Sequence, residues 1–78
     1  MKDMRLSEVQ VDQSAVVVAI QGGKELYNRL RDLGIRPGVT VIKISGAAGR
    51  GPTIICHGRT QTALGYGIAR KILVEVEP

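Results

Sequence analysis

Tryptophan and phenylalanine are absent, and Tyr27 and Tyr66 are the only aromatic residues among 78. A core without large rings has to come from Val, Ile, Leu and Ala, which are plentiful. The same scarcity weakens a single-strand nucleic-acid reading, because such strands are held mainly on stacked aromatics in a basic groove. Cys56 is the sole cysteine, so no internal disulfide forms and a reducing compartment is expected. His57 is the sole histidine. One Cys and one His cannot complete a tetrahedral zinc site, and most histidine-dependent catalytic arrangements are excluded. The longest apolar run, Ala15 to Ile20, falls far short of the roughly 20 residues that span a bilayer. Met1-Lys2-Asp3-Met4-Arg5 leads into no apolar segment of a secretory signal. A cytoplasmic location is expected, with any membrane role exercised through a partner.

What is present is one small domain, residues 1–78, with 11 Lys and Arg against 7 Asp and Glu and a net charge of +4. The basic residues are scattered, and no run exceeds two. An excess this modest favours acidic partners without specifying them, and protein contact is preferred over nucleic acid. A domain of this size buries only about 60–65% of the surface its unfolded chain exposes. Homo-oligomerisation is a natural supplement.

Local signals give the order β-β-α-β-β-α-β. Leu6 to Val9 reads as a short first strand or a lead-in to one, and Ala15 to Ile20 as a central strand rich in β-branched residues. Gly22-Gly23 breaks it, and Lys24 to Leu33 follows as a helix. Leu26, Leu30 and Leu33, four and three apart, share one helix face. Gly34 is placed to close the helix in a left-handed conformation, with Ile35 packing back on Leu30. Pro37-Gly38 suits the centre of a type II turn. Val39 to Ser45 and Thr53 to His57 form a hairpin around the glycine-rich loop 46–52. Thr40, Ile42 and Ile44 lie on one face of the first of these strands, Val39 and Val41 on the other. Leu64 and Ile68 have helical spacing, so Thr60 to Arg70 is read as a short helix weakened by Gly65 and Gly67. In the last strand Ile72, Val74 and Val76 point inward, Glu75 and Glu77 outward. About five short strands in 78 residues curl into a small barrel, which removes exposed edges.

Reactive chemistry is sparse. Loop 46–52 is followed by a strand and lacks the Lys-Ser/Thr pair of a phosphate loop. Gly65-Tyr66-Gly67 lacks the third glycine of a dinucleotide fingerprint. It is read as a close-packing device, with Gly65 intolerant of bulk. Cys56 and His57 are strand neighbours and point to opposite faces, so they do not share one ion. Cys56 is expected to be buried and His57 exposed. No acid–base dyad or nucleophile elbow occurs. The chain is therefore not expected to be an enzyme. No catalytic, metal or cofactor-binding residue is assigned.

Arg29-Leu30, Leu33-Gly34-Ile35 and Pro37-Gly38, in that spacing, resemble the hallmark of the FeoA family, the small ferrous iron transport protein A. Leu6 and Val9, the Gly22-Gly23 pair, Ala63-Leu64-Gly65, Ala69, Ile72 and Val74 extend the match in order across nearly the whole chain. The resemblance implies a mainly β fold, a small SH3-like β-barrel of about five strands with one or two short inserted helices. It implies a non-enzymatic cytoplasmic accessory of bacterial ferrous iron uptake. Its implied partner is the FeoB-type transporter, through the cytoplasmic G-protein-like domain. Lys24, Arg29, Arg36 and Arg50, around the first helix and the hairpin loop, are the expected partner-binding residues. Two alternatives stand beside this reading. One is a free-standing regulatory module related to the C-terminal domain of iron-dependent repressors, and the other is a small nucleic-acid-binding barrel.

Overall fold

The computed structural model describes residues 3–46 and 51–77. Its strands are β1 (Asp3–Arg5), β2 (Ser14–Ile20), β3 (Thr40–Ser45), β4 (Thr53–His57), β5 (Thr60–Leu64) and β6 (Ile72–Val76). A 3₁₀ turn spans Leu6–Glu8, and the helices are α1 (Lys24–Asp32) and α2 (Tyr66–Ala69). The strands form one sheet in the order β1-β6-β2-β3-β4-β5, with every pair antiparallel. The ladder shifts register at Val18 in β2 and at Ile44 in β3. Such irregularities bend a strand and increase its twist, and the sheet curls around a core that includes Leu6, Val17, Leu30, Ile35, Ile55 and Ile72.

The helix-to-strand joint forms as its residues require. Gly34 has φ +90°, and its N–H donates to the Arg31 carbonyl at 2.9 Å. The Ile35 N–H donates to the Leu30 carbonyl at 2.8 Å, completing a Schellman closure. Leu30 and Ile35 are both buried. Gly38 has φ +97°, and the Val39 N–H donates to the Arg36 carbonyl at 3.1 Å across the Pro37-Gly38 turn. The Gly38 N–H and the Val17 carbonyl meet at 2.8 Å, which ties this turn to β2.

Several local expectations are corrected. Leu6–Glu8 is a 3₁₀ turn and not a strand; the Arg5 N–H donates to Glu8 Oε1 at 3.1 Å and tightens it. The proposed helix over 60–70 is two elements, strand β5 and the single-turn α2. A two-residue Gly58-Arg59 connection joins β4 to β5, with Gly58 at φ +62°. This is the II′ hairpin geometry, in which glycine takes the first central position. The sheet, expected to have about five strands, has six, and its two end strands keep free edges among the described residues. Leu33 does not join the buried helix face: it lies beyond α1 and is 47% exposed. On β3 the expected division of faces holds: the Val41 face, which also carries Lys43, is the inward one, and Ile42 faces out.

Candidate functional site

The basic residues singled out in the sequence are all exposed where they are described, but they do not converge. Lys24 opens α1. Arg29 is five residues further on, which rotates it about 140° around the helix axis. Arg36 lies beyond the closing Gly34-Ile35 joint, in the turn that leads to β3. Arg50 lies outside the described residues. Arg29 and Arg31, in the last turn of α1, complement the negative end of the helix dipole. Arg31 Nη2 lies 3.6 Å from Asp32 Oδ1, an exposed pair that contributes little.

One concavity adjoins this helix. Gly22, Glu25, Leu26 and Arg29 line an open cleft of about 220 Å³. Glu25 and Arg29 stand four apart on one face of α1, and Leu26 supplies an apolar wall. Lys71 lies beside Gly22. A Cβ added to Gly22 would lie 3.1 Å from Lys71 Cδ and 3.7 Å from Lys71 Nζ, so this lysine lies across the Gly22 backbone. Gly22 itself has φ +117°, which only glycine adopts readily. Lys71 escapes local sequence reasoning because it arrives from the far end of the chain. The Gln21 N–H to Lys71 carbonyl bond of 2.7 Å and the Ile20–Ile72 pairing bring it there.

The cleft is smaller than the roughly 300–1,000 Å³ of small-molecule pockets, and it is open. It suits one side chain presented by a protein surface; Arg29, with Lys71 nearby, favours a carboxylate held away from the Glu25 side of the cleft.

The three reactive-looking residues of the interior are structural. His57 is buried, contrary to expectation, and its Nε2 lies 2.9 Å from Thr62 Oγ1. Its ring also lies against Gly34, so it packs β4 under the end of α1. Cys56 is half-buried on the opposite face, with Sγ 3.7 Å from the Gly58 carbonyl. The alternation expected for strand neighbours holds, but His57 takes the buried side and Cys56, expected to be buried, is only half-buried. Lys43 is fully buried; Nζ donates to the Val9 carbonyl at 2.7 Å and to the Ser7 carbonyl at 3.4 Å. Desolvation holds its pKa below the ordinary lysine value. It acts as a strut from β3 to the 3₁₀ turn and the residue after it. Among the described residues, no three of His, Cys, Asp and Glu come together as metal ligands.

No helix among the described residues is long and apolar enough to cross a membrane. The family model described as the FeoA domain matches residues 4–76. A solved iron uptake regulatory protein, FeoA, is 30% identical, covers 99% of this chain and 100% of its own, and superposes with a TM-score of 0.86. FeoA of Stenotrophomonas maltophilia complexed with zinc is 33% identical over 92% of this chain and 89% of its own, with a TM-score of 0.79. That protein is described as a prokaryotic SH3 domain protein and a candidate activating factor of ferrous iron transport. A manganese-dependent transcriptional repressor has a TM-score of 0.87 over 99% of this chain but 42% of its own length, at 14% identity, a likeness of fold alone. No curated protein matches the chain.

Proposed function

The chain belongs to the FeoA domain family, and we propose that it is a non-enzymatic accessory of ferrous iron uptake that docks on the cytoplasmic G-protein-like part of a FeoB-type transporter and modulates it. The mainly β, SH3-like fold follows from family and structure together. The single observation that carries the docking reading is the open cleft beside α1, lined by Leu26, Glu25 and Arg29, with Lys71 lying against the Gly22 backbone at its edge. A partner that presents an acidic side chain next to an apolar one is complementary to it.

The test is binding of the purified chain to the isolated cytoplasmic domain of a FeoB-type transporter at several salt concentrations. Saturable binding that weakens with salt is expected, because exposed charges are screened within about 8 Å at physiological ionic strength. An Arg29→Glu/Lys71→Glu double variant with unchanged far-UV circular dichroism is expected to bind at least about tenfold more weakly. Full binding by that variant would remove the cleft from the interface. No binding by the unaltered chain in any nucleotide state of the partner would overturn the docking reading itself.

A further inference from the structure

We propose that the free edge of β5 is a self-pairing surface, through which two copies of this chain form an antiparallel β5–β5 dimer. In the β4–β5 hairpin His57 pairs with Thr60, Ile55 with Thr62 and Thr53 with Leu64. A two-residue connection makes the pair that flanks it a hydrogen-bonded one, and bonded pairs then recur at every second residue. Thr60, Thr62 and Leu64 thus spend their N–H and C=O groups on β4. Those of Gln61 and Ala63 point to the opposite side, where no strand pairs with them among the described residues.

An edge of this kind templates pairing unless charge, proline, a bulge or shortness guards it. The other edge of the sheet is guarded: β1 is three residues long and carries Asp3 and Arg5, both exposed. The β5 edge has no such guard. Its five residues, Thr60-Gln61-Thr62-Ala63-Leu64, carry no charge and no proline, and their register with β4 has no shift. Gln61 and Ala63 are both exposed.

The edge is also self-complementary. With a two-fold axis at Thr62, Gln61 of each copy faces Ala63 of the other, and each such pair exchanges both backbone hydrogen bonds. No like charges oppose one another across the junction. The outward rows of the sheet continue through it, from Cys56 and Gln61 of one copy to Ala63 and Ile54 of the second. So short a contact buries less than the roughly 1,000 Å² of a stable interface, so the dimer is weak and forms with concentration.

Sedimentation equilibrium and amide hydrogen exchange by NMR, on the full chain from micromolar to about 1 mM, test this. The mean mass is expected to rise toward that of a dimer. The Gln61 and Ala63 amides should become protected in step, while Thr62, already bonded to β4, changes little. Ala63→Pro removes a donor from the free edge and leaves the β4 ladder intact; Gln61→Lys places a like charge near its symmetry mate. Each is expected to weaken association at least about tenfold. Gln61→Lys decides the matter if Ala63→Pro fails to fold. A monomer at every concentration would overturn the proposal. So would association that leaves both edge amides unprotected or persists undiminished in the folded variants.

Discussion

Lys43 shows how one side chain can be indispensable without being reactive. Its ammonium satisfies the carbonyl of Val9 and reaches that of Ser7, both on residues that are nearly inaccessible to water. Replacing it with methionine keeps the volume and orphans those acceptors, so Lys43→Met is expected to destabilise the fold by about 1–3 kcal/mol at neutral pH. The effect is also expected to depend on pH. Burial lowers the folded-state pKa, while the unfolded chain titrates near the ordinary value of about 10.4. Between the two values the unfolded state holds the extra proton, so this contribution to stability rises with pH and is complete only above the higher one. Urea midpoints of the parent and Lys43→Met should therefore diverge as the solution becomes alkaline; a constant gap would mean that Nζ is not desolvated. Two glycines make a second contrast at this scale. A Cβ on Gly46, at φ +115°, would lie 2.6 Å from the Pro52 carbonyl oxygen. Gly46→Ala should then cost about 1–3 kcal/mol. A Cβ on Gly65 meets nothing within 4 Å, which corrects the expectation that bulk is forbidden there. Gly65→Ala should change stability by no more than about 0.5 kcal/mol in the same denaturation series.

At the scale of elements, α1 with its closing joint is the part most legible in the sequence, because its signals are chemical and local. A glycine at the left-handed position, an apolar residue after it and a Pro-Gly turn each demand one backbone geometry. Gly34→Ala is expected to cost about 1–2 kcal/mol, read as a shift in denaturation midpoint. The substitution has room, since the new Cβ would sit 3.5 Å from the His57 ring in ordinary contact, so the effect is conformational and not steric. The β5 segment was illegible for the opposite reason. Leu64 and Ile68 imitate a helical repeat, whereas the operative pattern is the inward alternation of Thr62 and Leu64 after a Gly-X hairpin turn. The burial of His57 and exposure of Ile42 depend in turn on strand phase, which the turn chemistry and the Ile44 register shift decide. A one-residue change of phase exchanges every inward side chain with an outward one. The inward lysine on β3 adds to the confusion, because a charged residue there reads as surface.

At the scale of the molecule, the sheet brings residues from distant parts of the chain together and so selects among the candidate cations. Lys24, Arg29 and Arg36 looked equivalent in the sequence. Of these only Arg29 lines the cleft, and the pairing of β2 with β6 brings Lys71 against Gly22. The site was therefore half legible: the helix face of the cleft is visible in the pattern, while the approach of Lys71 to Gly22 depends on the pairing of β2 with β6. This gives a graded expectation for transporter binding. Lys24→Glu or Arg36→Glu changes only the long-range field, so each should slow association modestly and lose its effect at high salt. Arg29→Glu or Lys71→Glu also removes a short-range contact, so each should speed dissociation and keep a deficit at high salt. Stopped-flow or surface-based kinetics at two ionic strengths separates the classes. Equal, fully screened effects at all four positions would mean that net charge attracts the partner and that docking occurs on another face.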